Sequence, residues 1–159
     1  MKQWFTFIFS FFSFLAVVLI ILILILGNKP YSDIEKQAIE RAKNDNRIEE
    51  VDRAYVYSGQ QSAVTVIGTD SEGALKAVFV PKGEDKELSE TALYGKTTAK
   101  EARGIAFEDM DVKKVLHTKL GMDTEGPVWE VAFLTANDRL NYVYVMADGG
   151  SIWKRILNL

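Results

Sequence analysis

The chain has 159 residues, a net charge of −3 and no cysteine. The absence of cysteine excludes disulfides, thiolate metal sites and cysteine nucleophiles. The acidic balance argues against binding of nucleic acid or of an anionic membrane surface through simple attraction. Beyond an apolar N-terminal run, about 130 residues remain, which suits one ordinary domain or two very small ones that share a core.

The N-terminal run, Trp4–Leu26, contains no charged residue. As a helix it would extend for about 35 Å, which is enough to cross a hydrocarbon core of about 30 Å. No small-residue cleavage site precedes Lys29, so the pattern favours a retained signal anchor over a cleaved signal peptide. The sequence therefore predicts one membrane helix over residues 4–26, followed by a soluble body.

The orientation of this anchor does not follow from its flanking charges. Lys2 lies on the N-terminal side, whereas Lys29, Lys36 and Arg41 follow the run. The number of positive charges on each side, taken by itself, favours a body on the cytoplasmic side. Folded domains, however, cross membranes largely regardless of their charge, so the residues alone leave the orientation open.

The first part of the body begins with a helix signal. Ser32 and Glu35 have the spacing of a capping box, and the apolar positions that follow predict a helix over 31–46. Runs of β-branched and aromatic residues, separated by turn residues, then predict an antiparallel meander. Its strands are Val51–Tyr57, Ala63–Thr69 and Ala74–Val80. The charged stretch 82–87 is interpreted as a solvated connector.

The same order then recurs. Thr98 and Glu101 form a second capping-box pattern, 66 residues after the first. The helix that it opens carries small residues, Ala102, Gly104 and Ala106, which would allow a close approach to a sheet. The predicted strands after it are Val112–Leu120, Val128–Leu134, Leu140–Met146 and Ile152–Leu157. The sequence thus predicts an α+β fold with an anchor at 1–29 and two tandem helix-plus-antiparallel-sheet units, at 30–90 and 91–159.

The residues with catalytic or metal-binding chemistry form no convincing set. His117 is the only histidine, and a lone histidine on a strand is more often structural than catalytic. Glu108, Asp109 and Asp111 lack the order of a calcium loop and are interpreted as a solvated helix exit. Neither a phosphate-binding glycine loop nor a nucleophile elbow occurs in the sequence. We therefore expect no enzyme, no cofactor and no metal site.

Apolar residues crowd the last strands on both of their faces. One helix covers only one face of a sheet, so the other face must meet the other unit, a partner or solvent. Large aromatic side chains with one polar atom are favoured at protein interfaces. The candidate partner-binding face consists of Trp129, Val131, Phe133, Tyr142, Tyr144 and Trp153. Packing between the two units, or an ordinary core, is the alternative.

Three motifs of the second half resemble a PepSY-type domain. They are the helix start Thr97–Ala102, the strand Val128–Val131 and the hairpin Asp148–Lys154. The whole arrangement, with a short N-terminus, one anchor and two tandem PepSY-like (cystatin-like) units, resembles the YpmB/TseB-like family of Gram-positive cell-wall elongation regulators.

The resemblance implies a non-catalytic, single-pass protein of the cell membrane with an extracytoplasmic body. It implies a class B penicillin-binding protein as the partner, with no small-molecule cofactor. PepSY-like domains also resemble peptidase propeptides, so a protease inhibitor or chaperone-like module at the membrane is the alternative. An anchored hydrolase is a third reading, which the inventory of residues disfavours.

Overall fold

The computed structural model describes residues 4, 8, 11–19, 32–59, 61–83 and 85–159. Residues 11–19 are helical, and residues 33–159 form a compact unit distinct from the part of the chain that precedes it. Within the described ranges, no helix combines the length and the apolar character needed to span a membrane. The predicted span 4–26 lies in large part outside the described residues, so the anchor stays a prediction.

The first half of the compact unit is a helix packed on a four-stranded antiparallel meander, in the order β1-β2-β3-β4. The helix buries Ala38 and Ala42, whose small side chains face the sheet. The elements are α1 (Asp33–Asn44), β1 (Glu50–Tyr57), β2 (Ala63–Thr69), β3 (Leu75–Pro81) and β4 (Ser89–Ala92).

The second half repeats this order, with a four-stranded antiparallel meander β5-β6-β7-β8. The capping box is confirmed, because the Thr98 hydroxyl oxygen accepts from the Glu101 backbone N–H and the Glu101 carboxylate accepts from the Thr98 backbone N–H. The elements are α2 (Ala99–Ala106), β5 (Val112–Asp123), β6 (Gly126–Thr135), β7 (Leu140–Met146) and β8 (Ile152–Ile156).

Besides shifts in the bounds of several elements, two details differ from the sequence-based expectations. The short strand β4 was not predicted, because its polar sequence carries no strand pattern and its pairing partner is the edge of β3. Of the three small residues predicted to bring α2 close to the sheet, Ala102 and Ala106 do so, since both are fully buried. Gly104 does not, because it is exposed, with no other group within 4 Å of the position that a Cβ would occupy.

One hydrophobic core runs through both halves. It joins residues of β2 and β3, such as Ile67 and Phe79, to Leu120 and Val131 of the second sheet. Successive residues of a strand point to opposite faces of the sheet. Ile67 of β2 faces the shared core, so Val64 and Val66 of the same strand face the other side of the first sheet. The central strands β2 and β3 of the first sheet are therefore buried on both faces, which matches their near-continuous apolar sequences.

The two halves meet along the outer edge of β5. Leu120 donates its backbone N–H to the Tyr55 hydroxyl over 2.8 Å and accepts from the Thr65 hydroxyl over 2.7 Å. Lys119 Nζ donates to the Val56 carbonyl oxygen over 3.0 Å. Unpaired backbone groups at a sheet edge need partners. The side chains of the first sheet supply them at this point of β5.

Candidate protein-binding surfaces

The structure separates the six residues of the predicted binding face into two groups. Trp129, Val131 and Phe133 lie on the side of the second sheet that α2 covers, with exposures of 7%, 0% and 0%. Trp129 Nε1 donates to the Thr97 carbonyl oxygen over 2.7 Å. The Phe133 ring meets the Phe107 ring edge-on, at 5.2 Å between centroids. These three residues belong to the core, because α2 packs over their side of the sheet.

The other three residues lie on the opposite side of the second sheet. Tyr142 and Tyr144 alternate with buried Val143 and Val145, and each is half-buried. A register shift between β7 and β8 leaves Trp153 as an additional residue, since Ile152 pairs with Val145 and Lys154 pairs with Tyr144. The Trp153 ring meets the Tyr144 ring edge-on, at 6.0 Å between centroids. The bulge therefore adds a tryptophan to the tyrosine side.

We call this side of the second sheet the open face. Cross-strand pairing places four of its residues in one row, in the order Lys119, Glu130, Tyr144 and Lys154. His117 and Tyr142 lie in the neighbouring row, on either side of Ala132. The open face is defined by these residues: His117, Lys119, Glu130, Tyr142, Tyr144, Trp153 and Lys154.

Glu130 lies at the centre of the open face. Its Oε1 lies 2.8 Å from His117 Nε2. Burial, together with the Glu130 charge, raises the pKa of Tyr144 well above its usual range. The His117 ring lies 6.3 Å from the Tyr142 ring, between centroids. The carboxylate of Glu130 is therefore paired with the histidine and lies near Tyr144.

Both lysines of the central row lie near aromatic rings. Lys154 Nζ is 5.8 Å from the centroid of Tyr144, and Lys119 Nζ is 5.8 Å from that of Tyr55. In the described residues, neither ammonium group forms an ion pair with a carboxylate. Their charges are thus not neutralised within the protein.

Tyr57 closes one end of the open face, and the sequence patterns did not identify it. Its ring is fully buried and lies where side chains at Gly59 and Gly121 would project. Its hydroxyl has no hydrogen-bond partner among the described residues. Burial, followed by the charges of Glu130 and Asp123, raises the pKa of Tyr57 far above its usual range. Gly59 and Gly121 are the trace that this buried ring leaves in the sequence, although only the fold shows that both lie against Tyr57.

A second surface lies on the first half, between α1 and the ends of β2 and β3. It is a groove of about 650 Å³, with Ala38, Val64, Val80 and Pro81 among its apolar residues and Arg41 at its rim. Arg41 donates to the backbone carbonyl oxygens of Gly83 and Lys86. This contact holds the charged connector 82–87 beside the groove, so the predicted connector is tied to α1.

The predicted acidic cluster lies at the exit of α2. The helix ends at Ala106, and Asp109 adopts a positive φ of 62° in the turn that follows. Among the residues that the structure describes, no group of histidine, aspartate and glutamate side chains is arranged to hold a metal ion. The prediction that these acidic residues follow the end of the helix is confirmed.

Three comparisons relate the chain to known proteins. A family model described as a cell wall elongation regulator TseB-like domain matches residues 37–81, which span most of α1 and the strands β1 to β3. No curated protein matches the chain. A solved structure of the YpmB protein from Bacillus subtilis matches with a TM-score of 0.70 and 23% identity, over 80% of this chain and 99% of that one. The sequence similarity to the TseB-like domain thus covers part of the first half, whereas the likeness to the YpmB protein is one of fold.

Proposed function

We propose that this protein is a membrane-anchored, non-catalytic regulator of cell-wall elongation that acts by contacting a class B penicillin-binding protein. The observation that carries the proposal is the TseB-like family model over residues 37–81, since that family suggests a role in cell-wall elongation. The fold shared with the Bacillus subtilis YpmB protein agrees with it. The repeated order of helix and four-stranded meander supports two tandem PepSY-like units.

A role in protein binding suits the chemistry of the described surfaces. His117, the single histidine, is engaged with Glu130, and its neighbours on the sheet are alanine, tyrosine and lysine. No serine or threonine hydroxyl is bonded to it in the described part of the chain. The open face instead presents half-buried tyrosine and tryptophan rings, which are enriched at protein interfaces.

The anchor and the location of the body are further parts of the proposal. An uncharged run of 23 residues at 4–26 supports membrane insertion. Confinement of two proteins to one membrane raises their effective concentration, so a weak interface is sufficient for regulation. The body lies outside the cytoplasm, where the cell wall is assembled.

The absence of native cysteine provides a direct test of the location. A single cysteine at exposed Lys100 should react with a membrane-impermeant maleimide on intact cells if the body is extracytoplasmic. A cysteine at Lys2 of the full chain serves as the control and should react only after the cells are permeabilised. The reverse result would contradict the proposed topology.

The partner is tested by photo-crosslinking in cells. A photoreactive amino acid at Lys154, on the open face, or at Glu40, beside the groove, is placed in the full-length protein. Capture of a class B penicillin-binding protein from either position supports the proposal. Capture of a membrane protease would favour an inhibitor instead, and capture of cytoplasmic proteins alone would overturn the topology.

A further inference from the structure

The open face has a local charge that differs from that of the whole chain. The protein is acidic, with a net charge of −3. On the open face, however, Lys119 and Lys154 stand at the two ends of the central row. The carboxylate between them, Glu130, lies 2.8 Å from His117 Nε2. The seven residues of the open face thus contain two lysines and one glutamate, so with His117 neutral their net charge is positive, at +1.

The apolar part of the open face has the composition of an interface centre. Trp153 and Tyr144 meet edge-on and remain partly exposed, because the bulge in β8 turns Trp153 toward the tyrosine. Tryptophan and tyrosine are among the residues that most often dominate binding energy at interfaces. Lys154 lies over the Tyr144 ring and is exposed, so its ammonium group is held at the edge of the aromatic pair.

We propose that the open face is the docking surface for an acidic segment of the protein partner, in which carboxylates meet Lys154 and an apolar side chain packs on Tyr144 and Trp153. This inference rests on the proposed function, and it adds the surface and the chemistry of the segment. Charge complementarity commits the occupant to an acidic one. The aromatic pair favours a peptide chain over an anionic glycopolymer, because it provides apolar contact area for a side chain.

The chain offers a matched pair of variants on one strand. Lys154 pairs with Tyr144 on the open face, whereas the next residue, Arg155, pairs with Val143 and lies on the opposite side of the sheet. Both are exposed. Lys154→Glu and Arg155→Glu change the net charge equally. A difference in partner binding between the two variants therefore depends on which side of the sheet carries the substitution, and not on the total charge.

The experiment measures binding of the full-length protein in lipid nanodiscs to the purified extracytoplasmic domains of the cell's class B penicillin-binding proteins. We expect Lys154→Glu to weaken the Kd about tenfold or more, Trp153→Ala to weaken it comparably, and Arg155→Glu to change it less than about twofold. Raising the salt concentration should weaken binding by the unmodified protein and have a smaller effect on Lys154→Glu.

Each other outcome has a definite meaning. Equal losses in Lys154→Glu and Arg155→Glu, or no loss in either, would overturn the docking surface while the proposed function stands. Absence of binding by the unmodified protein to every tested domain would count against the proposed function itself. Co-sedimentation of the unmodified protein, but not of Lys154→Glu, with isolated cell walls in the absence of the synthases would replace the acidic peptide with an anionic polymer.

Discussion

The ring of Tyr57 lies against Gly121, where any Cβ would overlap it. Tyr57 ends the first strand of the first sheet, and Gly121 belongs to the long strand that opens the second sheet. The two halves are therefore joined by a buried ring in a slot that only glycine provides. Together with the bonds from Tyr55 and Thr65 to Leu120, this contact determines how the sheets meet.

Enlarging the slot residue tests this relationship. We expect Gly121→Ala to lower the free energy of unfolding by about 1–3 kcal/mol, since the new methyl group must displace a fully buried ring. Chemical denaturation of the full-length protein measures the change. Gly104→Ala is the matched control, because Gly104 is exposed within α2 with open space beside it. Gly104→Ala should stabilise the protein by about 0.5–1 kcal/mol. Equal losses of stability in both variants would contradict the conclusion that the Tyr57 ring requires glycine at position 121.

The two interfacial tyrosines should respond differently to removal of the hydroxyl. The Tyr57 hydroxyl is buried without a partner in the described part of the chain. We expect Tyr57→Phe to retain full stability or to gain some, because an unbonded buried hydroxyl carries a desolvation cost. Tyr55→Phe removes the acceptor for the Leu120 N–H and should cost about 1 kcal/mol. The melting temperatures of both variants measure the difference. A larger loss of stability in Tyr57→Phe than in Tyr55→Phe would contradict the expectation.

Stability should decline in alkaline solution because of the buried tyrosines. Burial raises the pKa of Tyr55 to about 12, from an ordinary value near 10. The folded protein thus holds the phenolic proton more tightly than the unfolded chain does. This contribution is fully present below pH 10 and is lost as the pH rises from 10 to about 12. Denaturation at pH 9, 10 and 11 should show the decline, and a smaller decline is expected in Tyr55→Phe. Equal declines in the two proteins would exclude Tyr55 as the cause.

The two tryptophans of the second half should separate packing from binding. Trp129 is buried beneath α2 and donates to Thr97, so Trp129→Ala should cost about 3–5 kcal/mol of unfolding free energy. Trp153→Ala removes one partner of a partly exposed edge-on pair and should cost about 1 kcal/mol. Melting temperatures give the comparison. A Trp129→Ala protein that melts normally would remove that residue from the core.

Replacement of the histidine tests for catalysis. Glutamine retains an N–H donor toward Glu130 but cannot exchange protons as imidazole does. We expect His117→Gln to support growth and normal cell shape when it replaces the unmodified protein in cells. A folded variant that fails in cells, yet still binds the partner domain normally, would point to an acid–base role for His117.

Much of the fold follows from local patterns in the sequence. The strands Ala63–Thr69 and Leu140–Met146 were predicted with the bounds that they have in the structure, and the Thr98 capping box was predicted with its bonds. Helix starts, turns and strand periodicity depend on neighbours in the chain, so these features can be found without a fold. The short strand β4 lacks such a pattern and forms because β3 offers a free edge.

The candidate site depended on the tertiary structure. The sequence placed Trp129 and Tyr144 on one candidate face, yet only the packing of α2 decides that Trp129 is core whereas Tyr144, on the opposite side, is partly exposed. The bulge that places Trp153 beside Tyr144 arises from the register between two strands. The slot for Tyr57 joins residues 64 positions apart. The sequence by itself determined most of the elements of the compact unit, since their patterns are local. Burial and the joining of the halves are long-range, so only the folded chain decided them.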